Sequence, residues 1–312
     1  HYLCGMKDNR KALLFAIATV LLWSTVGSAF KLTLGYLNYA QTLLYASLTS
    51  CVVLFILLVA NNRIKNLRHP GYGSIARSAL MGFINPFAYY LILLKAYSIL
   101  QAQEAVALNY IWPMILVLLS VPVLKQKITW ISVAALLISF TGTLVIATGG
   151  RLGTLDFSNP LGVGLALSSA FFWAVYWLLN LRDKREETEK LFLNFMFGFA
   201  YTLLFVLATD DFVLPGLKGG IGAAYIGLFE MGVAFVLWLK ALKYAENTAR
   251  VSNLVYLSPF LSLILVSFLV GEKIMLSTIA GLSLIIGGIL LQHFTKKLFG
   301  KTRKSNVAAD GL

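Results

Sequence analysis

Long runs without acidic or basic residues constrain the fold of this sequence more than any other feature. An α-helix needs about 20 apolar residues to cross the ~30 Å hydrocarbon core of a bilayer. Such runs, the eighth broken only by Glu230, occupy residues 12–30, 32–62, 78–94, 105–124, 128–150, 157–181, 191–209, 219–239, 251–271 and 274–295. With 59% hydrophobic residues, a chain of 312 residues is too apolar for a soluble domain. The sequence therefore predicts an all-α polytopic membrane protein with ten transmembrane helices.

Lysine and arginine are distributed unequally between the predicted loops. The N-terminus, the loops after spans 2, 4, 6 and 8, and the C-terminus contain 21 of these residues. The opposite side contains the other five, which are Lys31, Lys95, Arg151, Lys218 and Lys273. Because cytoplasmic loops are rich in lysine and arginine, both termini are predicted to be cytoplasmic. The net charge of +13 thus reflects topology, and no nucleic-acid partner is expected.

The two halves of the sequence resemble each other. Residues 16–23 (AIATVLLW) align with residues 166–173 (ALSSAFFW), and Pro113 aligns with Pro259. Since each half holds five spans, an odd number, the second half is inserted upside down relative to the first. The predicted segments are a first five-helix repeat at 12–150, a second, inverted five-helix repeat at 157–295, and a basic cytoplasmic tail at 296–312. Inverted repeats of this kind rock about a site near the bilayer midplane, which is alternating access.

Proline interrupts three of the predicted spans. Asn109-Tyr110-Ile111-Trp112-Pro113 lies in the fourth run and Val255-Tyr256-Leu257-Ser258-Pro259 in the ninth, while Pro86 lies in the third. Proline lacks a backbone donor, so it kinks a helix and leaves a carbonyl that only protein or a water-filled cavity can satisfy in a membrane. Broken helices at matching positions of two halves predict a transporter's central site. Pro86, Pro113 and Pro259 are predicted kinks that either let half-helices tilt or only shape the packing.

Glu230 is the one ionisable residue at the centre of a predicted span. A carboxylate at that depth is costly unless it is neutralised, paired or hydrated, so an intramembrane acid is a functional candidate. Glu230 is predicted to bind a substrate ammonium or to load and release a proton. The alternative is a structural carboxylate that bonds to a neighbouring helix. Its counterpart in the first half is Asn85, which is polar but does not titrate.

Aromatic residues accompany the breaks. Rings with polar edges can line a cavity, stack on an apolar substrate and hold a cation on their faces, although each could equally be ordinary packing. The candidate substrate-binding rings are Trp23, Tyr89, Tyr110, Trp112, Trp173, Tyr176 and Tyr256. Asn85 and Asn109 are candidate hydrogen-bond partners for substrate, or polar contacts between helices. Lys31, at the outer end of the first span, could attract a substrate carboxylate or simply extend to the membrane interface.

Together these motifs resemble the drug/metabolite transporter superfamily, and within it the EamA-type exporters. The resemblance rests on the five-plus-five pattern, Leu22-Trp23-Ser24, the proline motifs of spans 4 and 9, and Gly271-Glu272-Lys273 before span 10. The sequence is also similar to the branch of aromatic amino acid exporters, through the combination of Leu22-Trp23-Ser24-Thr25, Asn109-Tyr110-Ile111-Trp112-Pro113 and Gln126-Lys127-Ile128-Thr129-Trp130. The first half departs from the family's pattern, since it has Lys125-Gln126 where the family has Gly-Glu. The resemblance implies export across the inner (plasma) membrane through a central cavity, by a monomer or a homodimer.

The sequence thus predicts a secondary active transporter that exports small metabolites, foremost amino acids with aromatic or other apolar side chains. Its predicted partners are a small-molecule substrate and the lipid bilayer. A nucleotide-sugar transporter on the same fold would need more buried lysine or arginine, and a drug cation is the other alternative substrate. A membrane-embedded enzyme would need a paired acid and base or a metal cluster, whereas Glu230 stands alone within the spans. No P-loop or other nucleotide motif occurs, so no ATP site is expected. The three histidines, His1, His69 and His293, are too scattered to form a zinc site, and neither a cofactor nor a metal is expected.

Overall fold

The computed structural model describes residues 8–63, 71–124, 130–151, 153, 159–180, 183, 185–209, 212–245 and 253–291, and the regular elements within these ranges are helices. In chain order they are α1 (Asn9–Leu34), α2 (Tyr39–Ala60), α3 (Tyr72–Ile99), α4 (Ala102–Asn109), α5 (Trp112–Leu124), α6 (Trp130–Ala147), α7 (Pro160–Asn180), α8 (Glu187–Ala208), α9 (Leu217–Tyr244), α10 (Ser258–Leu269, directly after a 3₁₀ turn at Asn253–Leu257) and α11 (Leu276–Leu291).

Six of these helices are long and apolar enough to cross a membrane, namely α1, α2, α3, α7, α8 and α9. The other predicted runs carry shorter helices: α4 with α5 at 105–124, then α6, α10 and α11. The helical, multiply spanning character of the chain is therefore confirmed for the described residues. The number of ten spans stays a prediction. Helix α3 extends beyond the charge-free run 78–94 because Arg77 and Lys95 lie near its ends, where charged side chains can reach water.

The first two helices begin at polar caps that the sequence supplies. Asp8 accepts hydrogen bonds of 3.1 Å from the backbone N–H groups of Arg10 and Lys11, which have no carbonyl partner within α1. Asn38 and Gln41 form a capping box at the start of α2, with each side chain accepting from the other's backbone. These caps hold the helix starts close to the expected membrane surface.

Helices α3 and α9 each contain a π-helical segment, at Phe83–Ala88 and Ile226–Ala234. Pro86 lies in the first of them, after a cis peptide bond, and the preceding Asn85 has non-helical angles of φ −150° and ψ 122°. The missing side chain of Gly198 in α8 leaves room for the Pro86 ring. Such wide turns are rare and frequently occur at functional sites, so both π-helical segments mark candidate functional regions.

Pro113 and Pro259 begin half-helices. Helix α4 ends at Asn109 and α5 begins at Trp112, so Pro113 lies in the first turn of α5. Pro259 lies in the first turn of α10. Proline is favourable there, because N–H groups of the first turn have no partner within a helix and its fixed φ suits the helix. The predicted kinks therefore take the form of a break before α5 and a change from 3₁₀ to α geometry before α10.

Helix packing joins elements that are far apart in the sequence. α2 packs along α8, α1 packs along α9 and α10, and α3 and α5 pack along α7. α6 meets α11 through a close backbone approach of Gly142 and Gly281, where Ser139 donates a 3.1 Å hydrogen bond to the carbonyl of Ile285. Small residues allow this kind of close approach between helices in membranes.

The connection between α7 and α8 is fastened to the start of α3. Arg185 Nη2 lies 2.6 Å from Asp183 Oδ2, and Arg185 Nη1 donates hydrogen bonds to Ser78 Oγ (2.7 Å) and to the carbonyl of Ser74 (3.2 Å). Burial raises the pKa of the Asp183 carboxyl, but the hydrogen bonds and charge of Arg185 outweigh it and lower the pKa below its ordinary value. The hydrogen bonds of Arg185 to Ser78 and Ser74 connect two segments that are about a hundred residues apart.

Candidate functional site

A cavity of about 240 Å³ lies among α1, α3, α4, α5, α7, α9 and α10. Within each helix the lining residues are mostly three, four or eight positions apart, and residues at such spacings lie on one face of an α-helix. Most of the wall is apolar or aromatic, with a few polar groups, which is the usual composition of a small-molecule site. The cavity is therefore the candidate functional site.

Most of the residues predicted from the sequence meet at this cavity. The ones that line it are Trp23, Tyr89, Asn109, Tyr110, Trp112, Trp173, Glu230 and Tyr256. They come from both halves of the chain. The break before α5 places Tyr110 and Trp112 on the wall, and the 3₁₀ turn before α10 places Tyr256 there. The prolines themselves are not among the lining residues.

Three of the predicted residues lie elsewhere. Lys31 Nζ donates hydrogen bonds to the carbonyls of Leu100 (2.6 Å) and Tyr97 (3.0 Å) at the end of α3, where a cation satisfies carbonyls that lack a helical partner. Asn85 and Tyr176 are completely buried and do not line the cavity. Tyr176 stacks on Trp173 with ring centroids 5.9 Å apart, so it lies behind a residue of the wall.

Glu230 is held within the π-helical segment of α9 and is 8% exposed. Its Oε1 accepts a 3.0 Å hydrogen bond from the hydroxyl of Tyr90, whereas Oε2 has no hydrogen bond to any residue in the described ranges. A buried carboxyl group with one oxygen unpaired is unfavourable unless a proton, water or a ligand compensates it. The geometry therefore leaves Glu230 able to bind a cation or a proton.

Trp173 is the centre of an aromatic wall. It stacks on Tyr89 at 4.6 Å between centroids, and it meets the edges of Trp177 at 5.6 Å and of Trp112 at 6.5 Å. A second pair of rings joins Trp23 and Trp238, whose centroids lie 5.5 Å apart. Stacked and edge-to-face pairs restrict the motion of each ring, so the wall is organised before any substrate binds.

Asn109 is a tie between helices. The hydroxyl of Tyr89 donates to its Oδ1 at 3.3 Å, and its Nδ2 donates to Ser169 Oγ at 2.9 Å. The end of α4 is thereby fastened to α3 and α7, which matches the alternative of polar contacts between helices.

Ser262 of α10 also lines the cavity, and its hydroxyl has no hydrogen-bond partner among the residues that the structure describes.

Glu230 supplies the one carboxyl group of the described cavity wall. Among the described lining residues there is no lysine, arginine or histidine, and Glu230 is the one acidic side chain. Nor do the described residues contain a group of three or more His, Cys, Asp or Glu side chains that could hold a metal ion. A single carboxyl group among aromatic rings can bind a cation.

Sequence reasoning missed Tyr97, Trp177 and Trp238, which also line the cavity. Each lies four or eight residues after a predicted lining residue, one or two helical turns on the same face. Extending the helical period from Tyr89, Trp173 and Glu230 would have found all three. The spacing places Tyr90 close to Asn85, but it could not show the contact of Tyr90 with Glu230, because that contact joins helices 140 residues apart.

Known proteins similar to this chain include transporters and exporters. The model of the EamA-like transporter family matches residues 10–148 and again residues 160–292. An uncharacterized transporter from Clostridium kluyveri is 22% identical, over 95% of this chain and 97% of its own length. The aromatic amino acid exporters YddG of Salmonella typhimurium and Escherichia coli are each 25% identical, over 91% of this chain and 97% of their own lengths.

A solved structure shares the fold of this chain. A solved crystal structure of a protein, 23% identical in sequence, superposes with a TM-score of 0.67 over 94% of this chain and 99% of its own length. The family matches cover nearly all of the helical region described above. The chain is therefore a multi-pass membrane protein that belongs to the EamA-like transporter family.

Proposed function

We propose that this protein is a secondary active transporter that exports small metabolites with an apolar or aromatic body and an amino group, by alternating access around the central cavity. The observation that carries the proposal is Glu230, a carboxyl group buried at mid-helix in an aromatic cavity, with one oxygen bonded to Tyr90 and the other unpaired in the described structure. An ammonium group or a proton would compensate its cost in a membrane. The names of the YddG relatives support amino acids as the first substrates to test.

We further propose ten spans in two inverted repeats, at 12–150 and 157–295, with α4 and α5 together forming the fourth span. Two separate matches to one family model support this division. So does the packing, which is symmetric between the halves: α1 packs along α9 as α7 packs along α3, and α1 packs along α10 as α7 packs along α5. The π-helical segments Phe83–Ala88 and Ile226–Ala234 also correspond. The excess of lysine and arginine supports cytoplasmic termini.

Alternating access requires contacts between the halves that open at one end at a time. At one end Arg185 of the second half bonds to Ser78 of the first. At the other end Glu272 of the second half bonds to the start of α4 in the first. The cavity lies between these two sets of contacts, which fits a mechanism in which each set opens in turn.

The test is transport by the purified protein in liposomes, with labelled phenylalanine, tryptophan, threonine, alanine, an aromatic amine and a nucleotide sugar. We expect saturable movement of compounds that carry an amino group and mutual competition among them. Trp173→Ala should raise the half-saturating concentration about tenfold, since a ring contact and buried apolar area are lost. Phe171→Ala is the matched control, because this ring of the same helix is 46% exposed and is not part of the cavity wall.

Two results would contradict the proposal. One is the absence of saturable movement of any compound with an amino group. The other is movement of the nucleotide sugar alone, which would mean that the protein transports another class of substrate. Equal loss of transport in the Trp173 and Phe171 variants would show that the aromatic wall is packing and not a substrate contact.

A further inference from the structure

We infer that the cavity selects organic cations without a negative charge, such as aromatic amines, over amino acid zwitterions. The inference rests on the proposed transport function and names its substrate class. An amino acid brings a carboxylate and an ammonium group to the same site, so the site must compensate both charges. Among the described lining residues the structure shows an acidic partner for the ammonium group but no basic partner for the carboxylate, only neutral donors such as the hydroxyl of Ser262.

The first step is the charge on the cavity wall. In the described part of the chain, Glu230 is the one acidic lining residue and no basic residue lines the cavity. Lys31, which could have bound a carboxylate, bonds to carbonyls such as that of Leu100. Lys95 and Lys240 each lie over an aromatic ring away from the cavity, at 4.6 and 5.9 Å from the ring centroids. A substrate carboxylate would therefore be desolvated beside Glu230 without a cation, which is unfavourable.

The second step concerns the half-helices, since free N–H groups at a helix start can also bind a carboxylate. At the break before α5, the N–H groups of Tyr110, Ile111, Met114 and Ile115 already donate to carbonyls of preceding residues, and Pro113 has no N–H. Helix α10 follows its 3₁₀ turn without a gap and has a proline in the first turn. These helix starts offer few donors, so they do not replace a basic side chain.

The third step is what favours a cation. Glu230 supplies a carboxyl oxygen without a hydrogen bond in the described structure. The indole rings of Trp23, Trp173 and Trp238 line the same cavity, and the negative faces of aromatic rings attract cations. An ammonium group on Glu230 would leave the apolar body of the substrate against these rings. The site thus matches a single positive charge on an apolar or aromatic body.

The experiment is competition against labelled tryptamine with the full chain in liposomes. The competitors share one indole body and differ in charge: tryptamine and tryptophan amide are cations, tryptophan is a zwitterion, and indole-3-propionate is an anion. We expect half-inhibition by both cations at concentrations about tenfold or more below that of tryptophan, and the weakest inhibition by the anion. Tryptophan amide is decisive when the assay is run at about pH 6.5, where its α-amino group is protonated, because it keeps the shape of tryptophan and lacks the carboxylate charge.

Variants test whether Glu230 is the origin of the preference. Glu230→Gln should reduce the advantage of the cations over tryptophan about tenfold or more, and Glu230→Asp should retain part of it. The matched control is Glu189→Gln, which removes a carboxylate in the first turn of α8, away from the cavity wall. Thermal unfolding of each variant shows whether it is folded, and Glu230→Asp carries the test if Glu230→Gln does not fold.

The outcomes separate the two proposals. If tryptophan inhibits as well as tryptamine and tryptophan amide, or better, the inference about charge is wrong while the transport function stands. If the cations are preferred equally by the parent and by Glu230→Gln, the assignment to Glu230 is wrong. Saturable movement of none of the compounds overturns the transport function and this inference with it.

Discussion

Glu272 of the second half contacts the start of α4 in the first half. The contacted residue Ala102 lies one helical turn before Val106, which lines the cavity. Its Oε1 accepts a hydrogen bond from the N–H of Ala102 (2.9 Å) and its Oε2 accepts one from the N–H of Gln103 (3.2 Å). The Gln103 side chain completes the contact, because its Nε2 donates to the carbonyl of Lys273 (2.8 Å) and its Oε1 accepts from the N–H of Met275 (3.0 Å). The carboxylate thus satisfies the first donors of α4 and lies at the positive end of the helix dipole.

We predict that Glu272→Gln opens this end of the cavity. The amide keeps the size of the side chain but removes the charge and one of the two acceptor oxygens. A hydrogen bond to a charged group contributes about 1.5–3 kcal/mol and a neutral one about 1 kcal/mol, and the dipole adds about 0.3–1 kcal/mol. Because Glu272 is partly exposed, water can replace part of the loss, so we expect a net change of about 1–2 kcal/mol. That corresponds to about 5–30-fold in the equilibrium between closed and open forms.

The assay uses a cysteine on the cavity wall. Ser262 lines the cavity and is 2% exposed, so Ser262→Cys, in a protein whose Cys4 and Cys51 are replaced by serine, reports access from outside. A membrane-impermeant maleimide is added to intact cells, and the rate of labelling is measured. Glu272→Gln should raise this rate about 5–30-fold. Lys273→Gln is the control, since it removes an exposed neighbouring charge and keeps the carbonyl that Gln103 contacts.

Two results would refute this reasoning. An unchanged labelling rate in Glu272→Gln would mean that the contact does not hold the cavity closed. An equal rise in Lys273→Gln would mean that local charge, and not the hydrogen bonds to α4, controls access.

Other contacts give predictions of stability, each measured by thermal unfolding of the purified protein in detergent. Arg185→Gln should destabilise the fold by about 1.5–3 kcal/mol, because the buried carboxylate of Asp183 loses its hydrogen-bonded partner and keeps the longer ion pair with Arg77 at 3.7 Å. Folding lowers the pKa of Asp183 below its ordinary value of 3.8. The stabilisation by this pair is therefore complete well above that pH and is lost as the pH falls through the lowered pKa. Arg185→Gln should accordingly lose less stability than the parent between about pH 7 and pH 3. Gly198→Ala should cost about 1–3 kcal/mol, because the added methyl group would meet the Pro86 ring, whereas Gly164→Ala, which has open space around it, should not destabilise. A stable Gly198→Ala protein would show that α8 can move away from α3.

Much of the site could be predicted because its chemistry is local. Glu230 interrupts an apolar run, and a lone acid in such a run is visible without a structure. Tyr110 and Trp112 adjoin a proline, whose lack of an N–H group interrupts any helix. Trp173 follows from its repeat counterpart Trp23, and both line the cavity.

Other parts of the site could not be predicted, because a residue's distant neighbours are not encoded in its spacing. Lys31 has a position suited to a substrate carboxylate, yet it bonds to the end of α3 because the carbonyls of Tyr97 and Leu100 lie within its reach. Tyr176 is one turn from Trp173, but the rotation of α7 puts it behind the wall. A rotation of a few tens of degrees about a helix axis decides such cases, and it is set by packing against other helices.

The sequence by itself determined the helical class, the membrane environment and the places where the helices break, since these depend on run length, hydrophobicity and proline chemistry within a few residues. Only the tertiary structure decided which faces form the cavity, that Tyr90 holds Glu230, and that Glu272 caps α4. These contacts join residues 140 to 170 positions apart, and they form only when helices of the two halves pack together. The residue type determines whether a charge or an aromatic ring is present, whereas the packing of the helices determines which group it contacts.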